Sequence, residues 1–304
     1  MMACVKLYIK PYSVRLGLAL LAIFLIAACA SSTLPKQQNA AVNAAQAMER
    51  RAAQAYLQGD LQAAAATYAS AALVYESLAL AEPLARARLS QARVLGEAGQ
   101  TERALQLVDA VLTPPATANA GLGADTLVLA HGRAAALHLA LHEASSSATT
   151  TTVATTTNSS SLLKAQTHWQ SAQTACASTC GSQAALQVLR SRIDLAQGNP
   201  IAAVQSASAA LAASTPVNTA EQANALRARA QAQAALRKHS GTVADANAAL
   251  ELDQQAGSVS KVGIDLDLLS AAHQALGDSA QAQRYAQLAQ RARAAAIALQ
   301  RGAP

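Results

Sequence analysis

Three histidines are spaced so that they could act together on one side of a helix. His131, His138 and His142 fall within a stretch, residues 125–143, whose apolar spacing predicts a helix. At about 100° per residue, their imidazoles share one narrow stripe of that helix. His138 and His142 are one turn apart and could chelate a divalent metal ion.

The spacing does not fix a complete set of metal ligands for this stripe. Glu143 and His168 are the residues that could complete it, and neither is placed by helical geometry alone. The alternative is that the imidazoles border a groove or fill a polar part of a helix interface without metal. We therefore treat a metal or small-ligand site at His131, His138 and His142 as the second hypothesis for function.

Two cysteines, Cys176 and Cys180, follow on the next predicted helix, near residues 162–177. Residues four apart on a helix have Cα atoms about 6 Å apart, which is within reach of a disulfide bond. We predict that the pair forms a structural disulfide in an oxidising compartment. A thioredoxin-like redox role is disfavoured because three residues, not two, separate the cysteines and no βαβ pattern surrounds them.

No catalytic motif accompanies these residues. The sequence contains no G-x-S-x-G, H-E-x-x-H, Walker A or G-x-G-x-x-G pattern. No nucleophile–base pair or pair of carboxylates can be placed from spacing. We expect a protein that is not an enzyme and that needs no cofactor.

The first 28 residues are typical of an export signal. A basic segment that ends at Arg15 precedes 13 uncharged residues, Leu16–Ala28. A helix of that length reaches only about 20 Å, which is too short for a permanent transmembrane span. An ordinary cleaved signal peptide with an incidental cysteine is the remaining alternative.

The end of this segment, Ile26-Ala27-Ala28-Cys29, resembles the lipobox of bacterial lipoproteins. The resemblance implies cleavage before Cys29, a diacylglycerol on its thiol and an acyl chain on its new amino group. In this family an Asp directly after the lipidated cysteine favours retention in the inner membrane. Here that residue is Ala30, so the resemblance implies an outer-membrane lipoprotein that faces the periplasm. We assign residues 1–28 to the signal peptide and residues 29–40 to the lipidated cysteine and a polar tether.

Composition favours helices for the rest of the chain. Of 304 residues 81 are alanine, about 27%, and only 3% are aromatic. The net charge is +6, and removal of residues 1–28 takes away three basic residues and leaves 20 Lys and Arg against 17 Asp and Glu, or +3. No cluster of basic and aromatic side chains remains, so we expect no nucleic-acid partner.

Glycines that could form turns recur along residues 41–300. They are Gly59, Gly99, Gly198, Gly241 and Gly277, at intervals of 40, 99, 43 and 36 residues. Each lies between two stretches of helical periodicity, which predicts helix pairs in series. An irregular bundle of antiparallel pairs is the alternative.

The small residues around these glycines resemble the tetratricopeptide repeat (TPR) family. The matching positions are Ala52, Ala64 and Ala71 in the first unit, Ala92 and Ala104 in the second, Ala203 and Ala210 after Gly198, and Ala282 and Ala289 after Gly277. The resemblance implies an all-α, TPR-like α-solenoid of antiparallel helix pairs with about six repeats. The uneven period departs from the family.

The long interval contains a low-complexity segment. Residues 145–161 include 13 Ser and Thr among 17 and no charge. We predict a disordered insertion at the tip of a further helix pair; a glycosylated or partner-binding finger is the alternative.

The resemblance also implies a function. First helices of TPR proteins line a concave groove that accommodates a peptide or helix. We therefore expect a non-enzymatic scaffold or assembly adaptor that binds an envelope protein, such as a component of pilus, secretion or peptidoglycan-synthesis complexes. The sequence does not identify the residues of the groove.

Overall fold

A computed structural model describes residues 40–113, 121–147, 154–177, 180–215 and 217–300 of the chain. These residues form twelve α-helices and no β-strand. The helices are α1 Ala40–Leu57, α2 Leu61–Ser77, α3 Ala81–Glu97, α4 Thr101–Leu112, α5 Ala124–Ser147, α6 Ala154–Cys176, α7 Gln183–Ala196, α8 Pro200–Ala213, α9 Thr219–Ala235, α10 His239–Gln255, α11 Val259–Ala275 and α12 Ser279–Gln300. Consecutive helices pack as six antiparallel pairs, so the predicted TPR-like α-solenoid is confirmed.

Tight left-handed turns join the two helices of most pairs. The residues with positive φ at these turns are Gly59, Gly99, Gly198, Arg237 and Gly277, at intervals of 40, 99, 39 and 40 residues. The Arg237 amide donates to Ala234 and the Lys238 amide donates to Gln233, each at 2.9 Å, which is the pattern that Gly99 and Gln100 also make. Three of the four intervals are therefore about 40 residues long instead of the 34 typical of TPR units, and the 99-residue interval contains the longer third pair.

The prediction that Gly241 forms a turn was wrong. Gly241 is the third residue of α10, and a Cβ there would overlap the side-chain amide oxygen of Gln233. Glycine at this position leaves room for the Gln233 side chain of α9 and does not change the chain direction.

Small residues form the contacts inside each pair. The nine alanines predicted for close contact are all at most 4% exposed. Where the first-helix residue is serine, its hydroxyl donates to a carbonyl on the second helix twelve residues later: Ser191 to Ala203 and Ser270 to Ala282, both at 2.8 Å. Because these side chains are small, the two helices of a pair pack closely without large core residues.

The third pair is longer than its neighbours. Helices α5 and α6 have 24 and 23 residues, whereas α3 and α7 have 17 and 14. The chain is helical at residues 145–147 and again from Ala154, so the predicted insertion at 145–161 was too long. Ser and Thr residues of the segment belong to the helices on either side of it. Residues 148–153, in the middle of the predicted insertion, lie outside the described residues.

Candidate functional site

First helices of three successive pairs border one shallow depression of about 260 Å³. Helix α5 contributes one wall, helix α7 the floor and opposite wall, and the start of α9 one end. We call this surface the first-helix depression; its lining includes Leu129, Gly132, Arg133, Ala136, Leu186, Leu189, Arg192, Glu221 and Asn224. Apolar side chains of α5 and α7, together with the charged Arg133, Arg192 and Glu221, make it amphipathic.

Arg133 is the least satisfied charged residue of the depression. Its Nε atom is buried and has no hydrogen-bond acceptor among the described residues. Burial, together with the nearby charge of Arg93, lowers the pKa of Arg133 to about 10. An unpaired buried donor on a cation is energetically costly.

The acids nearest to Arg133 are engaged elsewhere. The Tyr56 hydroxyl lies 2.8 Å from both carboxylate oxygens of Glu97 and donates to that group. The Arg93 guanidinium lies 4.1 Å from the centre of the Tyr56 ring. Burial and the Glu97 charge raise the pKa of Tyr56 to about 12, so the phenol remains protonated and keeps its hydrogen bond to Glu97.

Arg192 lines the other wall of the depression and is paired. Its Nη2 atom donates to the two carboxylate oxygens of Glu143, at 2.9 and 2.8 Å. Both side chains are partly exposed, so this pair is weak and exchangeable. Glu143, which the sequence offered as a possible metal ligand, is thus a partner of Arg192.

The predicted histidine stripe lies on a different face of α5. His131 and His168 bring their Nδ1 atoms within 3.1 Å across the α5–α6 interface, and the His138 ring stacks on His168 with centroids 5.6 Å apart. These histidines face α6, whereas Leu129 and Arg133 of the same helix face the depression. Of the two alternatives to a metal site, the structure therefore matches the polar helix interface and not the groove.

The structure also does not assemble the predicted metal ligands. Within the described ranges no group of three or more His, Cys, Asp or Glu side chains is placed to hold a metal ion. The backbone carbonyl of His142 accepts hydrogen bonds from the Ser145 and Ser146 hydroxyls. The side chain that contacts His131 belongs to His168, on the next helix. His168 could be predicted only as an auxiliary residue, because no spacing rule connects residues 37 positions apart in the sequence.

Cys176 and Cys180 form a disulfide in the structure, with Cα atoms 5.2 Å apart. Cys176 is the last residue of α6, so the bond joins the end of that helix to the connection before α7. Cys29, the predicted lipidation site, lies outside the described residues. Among the helices of the described part, none is both long and apolar enough to cross a membrane.

A buried ionic network in the fifth and sixth pairs was missed by sequence reasoning. Arg227 of α9 donates from Nε to Asp265 of α11 at 2.7 Å, from Nη2 to the same carboxylate at 3.2 Å, and from Nη2 to Asp253 of α10. Asp253 and Asp265 are 1% and 0% exposed. Burial and the neighbouring Asp253 charge raise the pKa of Asp265, against the opposing effect of Arg227.

This network holds helices together and offers no chemistry to a substrate. Both carboxylates are engaged by one guanidinium and neither reaches solvent, so no acid–base pair is presented at a surface. The only sequence signal was the presence of Arg and Asp at positions that share the core-facing register of their helices. Charged residues on helices are usually solvated, and spacing alone does not reveal the exception.

Comparison with known proteins supports the fold. No protein-family model and no curated protein sequence matches this chain. Among solved structures, the chain resembles the crystal structure of BtubC (BKLC) from P. vanneervenii, with 16% sequence identity and a TM-score of 0.54, over 77% of this chain and 91% of that one. It also aligns with the TPR2AB-domain:pHSP90-complex of yeast Sti1 at 16% identity, over 82% of this chain and 98% of that one, but the TM-score of 0.31 supports no inference. At these identities the likeness concerns the fold alone.

Proposed function

We propose that this chain is a non-enzymatic protein-interaction scaffold whose first-helix depression binds a peptide segment or helix of a partner protein. The observation that supports this most directly is the buried, unsatisfied Nε of Arg133 in a depression with apolar walls. A partner that inserts an acceptor there satisfies the guanidinium and covers Leu129, which is 46% exposed. Both effects favour binding of a segment that combines an acidic or carbonyl group with an apolar side chain.

We further propose that the scaffold acts at the periplasmic face of the outer membrane. The support is the lipobox-like segment at Cys29, whose several acyl chains would anchor the protein stably. A scaffold fixed there would hold components of an envelope machine, such as a pilus, a secretion system or a peptidoglycan-synthesis complex. The Cys29→Ala variant should accumulate as an uncleaved precursor in membrane fractions; a normally processed soluble product would refute lipidation.

The binding surface is tested by site-specific photo-crosslinking in the native envelope. A photoreactive residue at Leu129, on first helix α5, should give discrete adducts with a partner. The same residue at Leu73, on second helix α2 and 66% exposed, serves as the control because it is at least as accessible but lies away from the depression. Equal adducts from both positions would contradict the assignment of the surface.

The role of Arg133 is tested in the same assay. Arg133→Met keeps much of the aliphatic stem and removes the donors, and loss of a buried charged hydrogen bond at an interface costs about 2–5 kcal/mol. We expect the yield of adducts at Leu129 to fall at least about tenfold. Arg293→Met, at an exposed arginine of α12, is the matched control and should leave the adducts unchanged.

A further inference from the structure

A cluster of three histidines connects α5 and α6, the two longest helices among the described residues. His131 of α5 and His168 of α6 place their Nδ1 atoms 3.1 Å apart, with ring centroids separated by 5.4 Å. His138, also on α5, stacks nearly parallel on the His168 ring, at an interplanar angle of 14°. The three side chains therefore form a direct contact between α5 and α6.

The short contact restricts the protonation states of the two rings. An N–H···N hydrogen bond between two Nδ1 atoms needs a proton on one of them and a lone pair on the other. Two neutral rings of opposite tautomer satisfy this, and so does one neutral ring with one imidazolium. Two imidazolium rings do not, because both Nδ1 atoms then carry protons and both rings carry positive charge.

The surroundings of the cluster offer little compensation for positive charge. Burial lowers the pKa of all three histidines, and the charge of His168 lowers the pKa of His131 and His138 further. Lys164 of α6 acts in the same direction on His138 and His168. Asp109 of α4 opposes these effects on the same two rings, and the Nδ1 atom of His138 is buried without a hydrogen-bond partner among the described residues.

Protons can nevertheless reach the cluster. His131 borders an open crevice between α5 and α6, together with the polar side chains of Thr167, Gln170 and Thr174. One of the two imidazoles that make the short contact therefore lies beside solvent-accessible space. A change in external pH is transmitted to the helix interface through this ring.

We propose that His131, His138 and His168 form an acid-sensitive latch that keeps α5 closed on α6 while the cluster holds at most one proton beyond neutrality. Uptake of a second proton removes the Nδ1–Nδ1 hydrogen bond and places two cations in contact. The helices then separate along the histidine-bearing face.

The direction of the pH effect follows from linkage. The open pair has solvated histidines with ordinary pKa values near about 6.5, whereas the closed pair has lowered pKa values. The open state therefore binds more protons, and the closed state loses stability as the pH falls below about 6.5. Each unit of difference in pKa shifts the ratio of open to closed forms about tenfold.

Hydrogen exchange of the full mature protein tests the latch. The variant His131→Asn/His168→Asn places amide groups where the two Nδ1 atoms were, keeps a hydrogen bond and cannot be charged. Peptides from α5 and α6 are compared between wild type and variant at the same pH, so that the intrinsic exchange rate cancels. We expect ratios within about twofold at neutral pH, and wild-type exchange at least about tenfold faster near pH 5.

Two controls make the result decisive. His239→Asn, at the start of α10 and outside the cluster, should behave as wild type, and peptides of α12 should show no pH-dependent difference. Should the double variant fail to fold, nitrogen NMR of wild-type histidines decides: we expect complementary Nδ1–H and Nε2–H tautomers for His131 and His168 at neutral pH, lost together on acidification. Unchanged exchange ratios at both pH values, or Nε2–H tautomers on both rings, would overturn the proposal.

Discussion

Removal of the buried guanidinium at Arg227 should destabilise the fifth and sixth helix pairs severely and in a pH-dependent way. The side chain makes four hydrogen bonds, two to Asp265, one to Asp253 and one to Asn224. In Arg227→Met the two carboxylates keep their burial and lose their cation. To remain folded, at least one of them must take up a proton.

The cost can be worked out from ordinary pKa values. Protonation at pH 7 of an aspartate whose usual pKa is about 3.9 costs about 4 kcal/mol, which agrees with the 3–5 kcal/mol typical of a broken buried ion pair. The variant should therefore lose about 3–5 kcal/mol at pH 7. Because its folded state then binds more protons than its unfolded state, the loss should shrink by about 1.4 kcal/mol per pH unit from pH 7 to about pH 6. Below that the loss should shrink less steeply, since burial raises the pKa of wild-type Asp265 to about 6 and wild type then takes up a proton as well.

Urea unfolding at pH 7 and pH 5, each against wild type at the same pH, measures this loss. Helical repeats can unfold in segments, so hydrogen exchange of α9–α11 peptides should accompany the equilibrium measurement. Arg293→Met is the matched control: Arg293 and Asp267 are about half exposed, and their pair should contribute at most about 1 kcal/mol. The triple change Arg227→Met/Asp253→Asn/Asp265→Asn should recover most of the loss, since no uncompensated charge remains.

A loss of stability in Arg227→Met no larger than that in Arg293→Met at pH 7 would contradict the role of the buried guanidinium. A loss that is the same at both pH values would also contradict it, because the penalty would then not come from buried carboxylates. A loss in the triple variant equal to that of Arg227→Met would point to lost packing instead of stranded charge.

Three further predictions concern packing, turns and the disulfide. Ala64→Leu should cost at least about 1–3 kcal/mol in urea unfolding because the site is fully buried, whereas Ala66→Leu on the exposed side of the same helix should be nearly neutral; equal effects would contradict the close-contact role. Arg237→Gly should stabilise the protein by about 1 kcal/mol, seen as a higher melting temperature, because glycine adopts the left-handed turn without strain. A lower melting temperature would show that the arginine side chain contributes more than its backbone costs. Mass spectrometry without reductant should find Cys176 and Cys180 oxidised, and their replacement by alanine should cost at most about 2 kcal/mol since the loop is short; two free thiols would refute the bond.

Composition and periodicity were sufficient to predict the helix pairs. Alanines such as Ala52 and Ala104 fall at fixed distances from turn glycines, and close helix contacts require small residues there. The turn predicted at Gly241 was wrong because a glycine that leaves room for a side chain of the neighbouring helix has the same sequence signature as a glycine that reverses the chain. The true turn carries Arg237, whose type gives no indication of a left-handed backbone.

The residues of the candidate site were much harder to predict from the sequence. The stripe predicted that His131 and His138 act together, but their partner His168 lies on another helix and was only an auxiliary candidate. Arg133 carries no local signal at all, since a charged residue on a helix is ordinarily solvated. Its burial follows from how first helices of successive pairs approach one another, and that information is tertiary.

The extra length of α5 and α6 has a consequence for recognition. Successive pairs with the same small residues at the same intervals offer an elongated ligand several nearly equivalent positions, so it could shift along the array by one repeat. The third pair extends beyond its neighbours by several residues, about 10 Å of helix, and breaks that translational symmetry. A ligand that touches both the first-helix depression and this extension can bind at only one position along the array.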